Sequence, residues 1–262
     1  MDLNAIRRVA VGAAHRGGEV LRSRFGTPLS VSRKGPIDLV TEADIGSEAE
    51  IVSAIRARYP SHAILAEESG RRDGDPARRW IVDPLDGTTN FAHRIPVFSV
   101  SIAFALEGRT AVGVVLNPVS GELFSAVAGG GAFRNGIPIR VSETDAVSDS
   151  LLVTGFPYDF KEIWDRIARR FGRCLHAARG VRRYGAASLD LCWVACGRFD
   201  GFWEENLQPW DTAAGELIVR EAGGRTTDFS EAPYAVDRPE ILATNGRIHA
   251  EMITLLDSKD GP

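Results

Sequence analysis

Asp83 and Asp86 close an apolar run, Trp80-Ile81-Val82, and are followed at once by Gly87, Thr88, Thr89, Asn90 and Phe91. The run reads as a buried strand whose abrupt end puts two carboxylates where the chain must turn. Acids at the carboxyl end of a strand, beside the N–H groups of a turn entering a helix, can hold a divalent cation and a phosphate side by side. The chemistry that layout suits is metal-assisted phosphoryl hydrolysis.

Other chemistries fit the run less well. A calcium loop needs acids at alternate positions and a Glu at its twelfth place, where this chain has Arg94. An enzyme forming an aspartyl-phosphate needs its nucleophile at the first place of Asp-x-Asp-Gly-Thr, and Pro84 stands there. Pro, Asp, Gly and Thr also favour any plain turn. Against that bland reading, three more segments carry acids at expected element ends: Asp38 with Asp44, Glu67 with Glu68, and Asp211 in Trp210-Asp211-Thr212-Ala213-Ala214-Gly215. Hard oxygen ligands without paired histidines or thiols suit Mg²⁺, with Mn²⁺ as the alternative, rather than zinc.

The elements that must position these acids follow from periodicity. Leu3, Ile6, Val9, Ala13, Val20 and Leu21 predict a helix from about Asp2 to Phe25, with Gly17-Gly18 weakening its second half. Thr41-Glu42-Ala43-Asp44 has the shape of a capping box. The helix it opens carries an apolar stripe of Ile45, Val52, Ile55 and Tyr59 and stops at Pro60. Ala63–Ala66 is a short strand delivering Glu67 and Glu68. Strands over Val97–Leu106, Ala111–Leu116 and Glu122–Ala128, with an Asn135-Gly136 hairpin turn, predict a mostly antiparallel sheet.

The second half alternates: a strand at Leu151–Thr154, helices near Glu162–His176 and Ala186–Cys196, and a strand at Phe199–Trp203. A helix opening at about Asp211, a strand at Ile241–Ala243 and a last helix from about Ile248 complete it. The expected architecture is one layered α+β/α-β domain over 1–262, with lobes of about 1–150 and 151–262.

The chain's 262 residues carry a formal net charge of −4, which argues against a general nucleic-acid footprint. Two basic clusters stand out. Arg166–Arg173 reads as a solvated helix face, and Arg179–Arg183 reads as a loop, an anion contact or a subunit interface. Cys174, Cys192 and Cys196 are too few for a disulfide framework; Cys192 and Cys196, four apart on a predicted helix, read as small buried hydrophobes, with a redox pair as the second reading. No apolar run is long enough to span a bilayer and no signal segment is read at Met1, so the expectation is a cytoplasmic protein without membrane contact.

Asp38-Leu39-Val40-Thr41-x-x-Asp44, Glu67-Glu68-Ser69, Trp80 through Phe91 and Trp210-Asp211-x-Ala213-Ala214-Gly215, with Glu221-Ala222-Gly223-Gly224 downstream, resemble the inositol monophosphatase family of magnesium-dependent, lithium-sensitive phosphatases. The motifs run in family order over essentially the whole chain. The resemblance implies a sugar-phosphatase fold of alternating α-β-α-β-α layers and two or three Mg²⁺ per site. Glu67, Asp83 and the Leu85 carbonyl would hold one metal, Asp83, Asp86 and Asp211 a second, and Glu67 a loosely bound third.

Further roles follow from the same resemblance. Gly87 and Thr88 would offer backbone N–H groups to the phosphate, next to Asp86. Thr88, polarised through Asp44 and helped by Glu67, would orient the attacking water. Glu204 matches the position that bonds substrate hydroxyls, and Ala187 lies in the matching Gly-Ala-Ala segment. Gln208-Pro209 stand where animal members have His-Cys, as in bacterial members.

The implied substrate is inositol 1-phosphate or a similar polyol or sugar phosphate. A fructose bisphosphate, histidinol phosphate, a 3′-phosphonucleotide and NADP stay open, as does a regulatory role on RNA or a ribonucleoprotein. Relatives are usually homodimers, and the apolar strands within Val97–Val141 with Arg179–Arg183 are the expected contact. No aromatic surface for a nucleotide base is apparent from the sequence.

Overall fold

The computed structural model describes residues 1–27, 31–33, 39–157 and 161–257, with only the backbone of 31–33 and 39–40. The first half comprises α1 (Leu3–Arg24), β1 (Val31–Arg33), β2 (Leu39–Thr41), α2 (Glu42–Arg56), β3 (His62–Ala66), β4 (Gly70–Arg72), β5 (Asp75–Asp86), α3 (Thr88–Ala92), β6 (Ser99–Leu106), β7 (Arg109–Asn117), β8 (Glu122–Val127), β9 (Ala132–Arg134) and β10 (Ile137–Pro138). The second comprises β11 (Leu151–Thr154), α4 (Trp164–Ala177), β12 (Gly180–Arg182), α5 (Ala187–Ala195), β13 (Gly201–Glu204), α6 (Pro209–Glu221), β14 (Arg225–Thr227), β15 (Ile241–Thr244) and α7 (His249–Leu256).

An eight-stranded sheet, in the order β10-β9-β8-β7-β6-β5-β3-β4, is antiparallel except where β3 runs parallel to β5. Its central strands are buried on both faces, so their side chains alternate between two cores. Val100, Ile102 and Phe104 of β6 join Trp80 and Val82 beneath α1 and α2. Ala103, Ala105, Val115 and Ile81 point the other way, beneath α5 and α6. A five-stranded sheet, β12-β11-β13-β15-β14, covers the far side of α5 and α6. Helices α4 and α7 close it from outside over Leu152, Trp203 and Leu242. The layers are therefore α-β-α-β-α, as expected.

Glycines set the closest approaches. Helix α1 runs unbroken through Gly17 and Gly18 because those positions touch α2 and β7: a Cβ on Gly17 would meet Ser47 Oγ at 2.7 Å, and one on Gly18 would meet Leu116 at 2.9 Å. Gly113 of β7 lets α6 lie almost on the strand, and a Cβ there would come within 2.6 Å of the Ala214 carbonyl oxygen. A Cβ on Gly215 would meet Leu191 of α5 at 2.7 Å.

Several expectations are corrected. Ile45 belongs to no apolar stripe, since it lies 59% exposed on the outer face of α2. That helix ends at Arg56, before Pro60. Helix α6 starts at Pro209, whose missing N–H suits a first helical position, and this makes Asp211 a first-turn residue. The apolar side chains of β6 and β7 fill the chain's own cores rather than offering a contact surface. Arg166 and Arg170 are not a solvated face: both pair with buried Glu205, at 2.7 and 3.0 Å, and Arg170 is itself buried. Among the described residues no helix is long and apolar enough to cross a membrane.

Candidate active site

The end of β5 is irregular. Its pairing with β6 slips between Asp83 and Asp86, a bulge that contains Pro84 and so loses no ladder bond to the missing N–H. The Leu85 N–H donates to Asp83 Oδ1 at 2.9 Å, closing a tight local turn. Gly87 follows at φ 92°, in the left-handed region, where a Cβ would also meet the Val97 carbonyl at 3.0 Å. The bulge and the glycine together turn Asp83, Asp86 and Thr88 toward one cavity.

Helix α2 holds this turn from behind. Asp44, Ser47 and Glu48 are three and four residues apart, on one buried face. Asp44 Oδ2 accepts from the Thr41 N–H at 2.8 Å and from Thr41 Oγ1 at 2.6 Å, the predicted capping box, and its Oδ1 accepts from Thr88 Oγ1 at 3.1 Å. Ser47 Oγ donates to the Pro84 carbonyl at 2.9 Å. Glu48 takes the N–H groups of Glu68 and Ser69 at 2.8 and 3.1 Å, which steadies the segment after β3 that carries Glu67.

The second half of the chain brings the rest. Asp211 Oδ2 accepts from the Gln208 N–H at 2.7 Å, so the helix start fixes the carboxylate. Asp86 Oδ2 accepts from Ser188 N–H at 2.8 Å and Ser188 Oγ at 2.6 Å at the start of α5. Asn90 of α3 donates to the Val97 and Tyr184 carbonyls, both at 2.7 Å, and so ties α3 to the loop before α5. Glu204 ends β13. Because side chains alternate along a strand, Glu204 faces the cavity while Glu205 faces α4.

The cavity has a volume of about 550 Å³, and Glu67, Asp83, Asp86, Thr88, Glu204 and Asp211 all line it. Asp83, Asp86 and Glu204 are buried, while Glu67 and Asp211 are half-buried toward solvent. Burial, then the charges of Glu67, Asp86 and Asp211, holds the Asp83 carboxyl well above the usual range. Burial likewise raises Asp211, with the Gln208 N–H opposing and Asp86 and Glu67 adding to it. Burial raises Asp86 too, although the Ser188 bonds favour its ionised form. Asp44 is raised by burial against the pull of Thr41 and Thr88.

Four acids that penalise one another's ionisation are a set that a hard cation would relieve. Among the described residues no three acidic, His or Cys side chains already close around one point. The carboxylates form an open wall, which suits an ion that keeps several waters.

Burial pushes Glu204 up to about 8, with Arg183 opposing and Asp86 reinforcing. Arg183, from the second basic cluster, lines the same cavity and stands over the Phe156 ring at 5.8 Å. Asp190, one turn beyond Ala187, is fully buried, and neither carboxyl oxygen has a hydrogen-bond partner among the described residues.

Of the residues singled out from sequence, the structure brings Glu67, Asp83, Leu85, Asp86, Gly87, Thr88, Ala187, Glu204 and Asp211 to this cavity, with Asp44 behind Thr88. Asp38 lies outside the described residues. Sequence reasoning missed Ser47, Glu48, Asn90, Ser99 and Ser188, single polar residues whose partners are distant in the chain. It also missed an aromatic surface: Phe156 and Trp210 line the cavity with Pro157.

A five-layer sandwich with a carboxylate-walled cavity is the architecture of a metal-dependent phosphatase acting on small phosphate esters. The chain belongs to the inositol monophosphatase family, whose model matches residues 2–260. It is 47% identical over 253 residues to an inositol-1-monophosphatase of Synechocystis sp., covering 96% of this chain and 88% of that one. It is 43% identical over 254 residues to the Nus factor SuhB of Escherichia coli, covering 96% and 95%. The solved structure of the extragenic suppressor protein suhB of Bartonella henselae superposes with a TM-score of 0.94 at 41% identity, over 98% of this chain and 100% of that one.

Proposed function

We propose that this phosphatase hydrolyses inositol 1-phosphate or a similar small polyol monoester with Mg²⁺, the two lobes acting as one domain. The observation that carries the reading is the convergence of Glu67, Asp83, Asp86 and Asp211 on one cavity, with Glu204 on its wall. Glu67, Asp83 and the Leu85 carbonyl would hold one cation, and Asp83, Asp86 and Asp211 a second, with Glu67 toward a third. The Leu85 carbonyl accepts from Thr88 Oγ1 at 3.1 Å, which leaves it a second lone pair for a ligand. Bound divalent cations supply positive charge against the attacking and leaving oxygens of the ester.

The chain's own groups do the rest. Thr88 has one hydroxyl proton, directed to Asp44 and the Leu85 carbonyl, so its lone pairs are left to accept from the attacking water and orient it. Gly87 and Thr88 offer backbone N–H groups to the phosphate oxygens. Glu204, whose carboxyl burial holds above the usual range, hydrogen-bonds a polyol hydroxyl and lacks that partner when none arrives. Ala187 lines the cavity with a small side chain.

A homodimer is part of the proposal, with Arg179–Arg183 and the residues of Val97–Val141 that stay exposed, Val119 and Ile137, at its contact. Light scattering at micromolar concentration tests this, and a monomeric mass overturns it. The primary experiment is phosphate release from inositol 1-phosphate, fructose 1,6-bisphosphate and a 3′-phosphonucleotide, with Mg²⁺ and with EDTA. Fastest turnover of the inositol ester, lost in EDTA, is the expected result. Silence toward every ester would favour a regulatory role instead.

A further inference from the structure

We propose that Ser188, backed by Ser99, is a positioning residue that fixes how Asp86 presents its carboxylate to a divalent cation. The inference rests on the reading of Asp86 as a metal ligand.

Asp86 Oδ2 takes both the N–H and the hydroxyl of Ser188, at 2.8 and 2.6 Å. An ionised carboxylate only accepts, so the Ser188 hydroxyl proton is committed to Asp86. Ser99 Oγ lies 2.8 Å from Ser188 Oγ, and with that proton committed Ser99 must be the donor. The result is a directed chain, Ser99 to Ser188 to Asp86, in which each bond polarises the next. Both serines are fully buried, so water does not compete for either hydroxyl. Ser99 contributes little to Asp86 directly, at 3.5 Å.

The consequence is asymmetry within one carboxylate. Oδ2 takes two short donors from the start of α5, the Ala187 N–H adds a third donor to the carboxylate, and Oδ1 is the oxygen that the proposal assigns to the cation. Rotation about the Asp86 side chain would break two charge-assisted bonds at once. Outer partners of this kind set ligand orientation, and their removal typically weakens metal affinity about 10–100-fold. Asp86 and Ser99 are register partners on β5 and β6, so the chain also fastens α5 to the sheet at the point where the acids gather.

The test is Mn²⁺ binding to the substrate-free, full-length protein, followed by electron paramagnetic resonance. Ser188→Ala keeps the backbone N–H and should weaken binding about tenfold, the low end of the effect expected of outer partners, and Ser99→Ala, one bond further out, by about threefold. Asp86→Asn should weaken it by at least about a hundredfold. A merely structural role for the serines would lower thermal stability and leave Mn²⁺ affinity of the folded protein unchanged. Affinity within about twofold of the parent in both serine variants, with Asp86→Asn still impaired, overturns the inference alone. Parent-like binding by Asp86→Asn overturns the ligand reading and the inference with it.

Discussion

The Glu204 carboxylate lies against the backbone of Gly155, so close that a Cβ at 155 would fall 2.0 Å from Oε2. Gly155 follows β11, the strand beside β13, and its lack of a side chain gives Glu204 its place on the cavity wall. Gly155→Ala should therefore displace the flexible Glu204 side chain without disturbing Glu67, Asp83 and Asp86. The expected outcome is a several-fold rise in KM for inositol 1-phosphate and little change toward a small artificial phosphate ester. Glu204→Ala should behave alike. Equal losses on both substrates would mean that Glu204 serves the fold or the metals instead.

Asp86→Asn should cost at least roughly a thousandfold in turnover, about 4 kcal/mol of transition-state stabilisation. Because Asp86 raises the proton affinity of Asp83 and Asp211, removing its charge relieves repulsion in the metal-free protein. Urea unfolding in EDTA should find the variant as stable as the parent or more so. Retention of a tenth of the activity would remove Asp86 from the ligand set.

The metal-free protein should lose stability as pH rises toward 8. Glu204, at about 8, and Asp83, also raised, bind protons more tightly folded than unfolded, where they titrate near 4.5 and 3.8. Their contribution is whole below the unfolded values and is lost as pH climbs to the folded ones. His249 works oppositely, because burial depresses it from 6.5 to about 4 and it costs stability as pH falls through that range. Between about pH 6.5 and 8 the carboxyls alone act, so denaturation in EDTA should show a decline there that Glu204→Gln reduces. Mg²⁺ should reverse the trend, since cation binding needs deprotonated ligands. A flat profile in EDTA would contradict the burial of these groups.

Lithium should inhibit and Mg²⁺ should activate. The half-buried Glu67 and Asp211 stand at the solvent side of the carboxylate wall, where a small monovalent ion can enter once phosphate has left. Initial rates across a Li⁺ titration at fixed Mg²⁺ check this. Resistance to lithium refutes that claim only, whereas full activity in EDTA refutes the metal mechanism.

The elements that carry chemistry were legible where they combine a local signal with a period. Thr41-x-x-Asp44 announces a capping box, Trp80–Val82 announces a strand, and Ala213-Ala214-Gly215 announces a tightly packed helix. The supporting residues were not legible. Nothing local distinguishes Ser188 from any other small residue near a helix start, and its meaning comes from Asp86, 102 positions away. Arg166 and Arg170 looked solvated because Glu205 belongs to a different element. The pH-shifted state of Glu204 was equally hidden, since burial is a property of the assembled walls and not of the strand that ends there.

Gly113 borders no part of the cavity, yet α6 rests on it one turn beyond Asp211. Any side chain there would lift the helix from β7 and carry the Asp211 carboxylate away from its companions. In the interpretation of variants, Gly113 therefore belongs with the cavity residues. A survey that scored damage by proximity to the cavity would rank a change at this position as harmless, and the protein would be inactive.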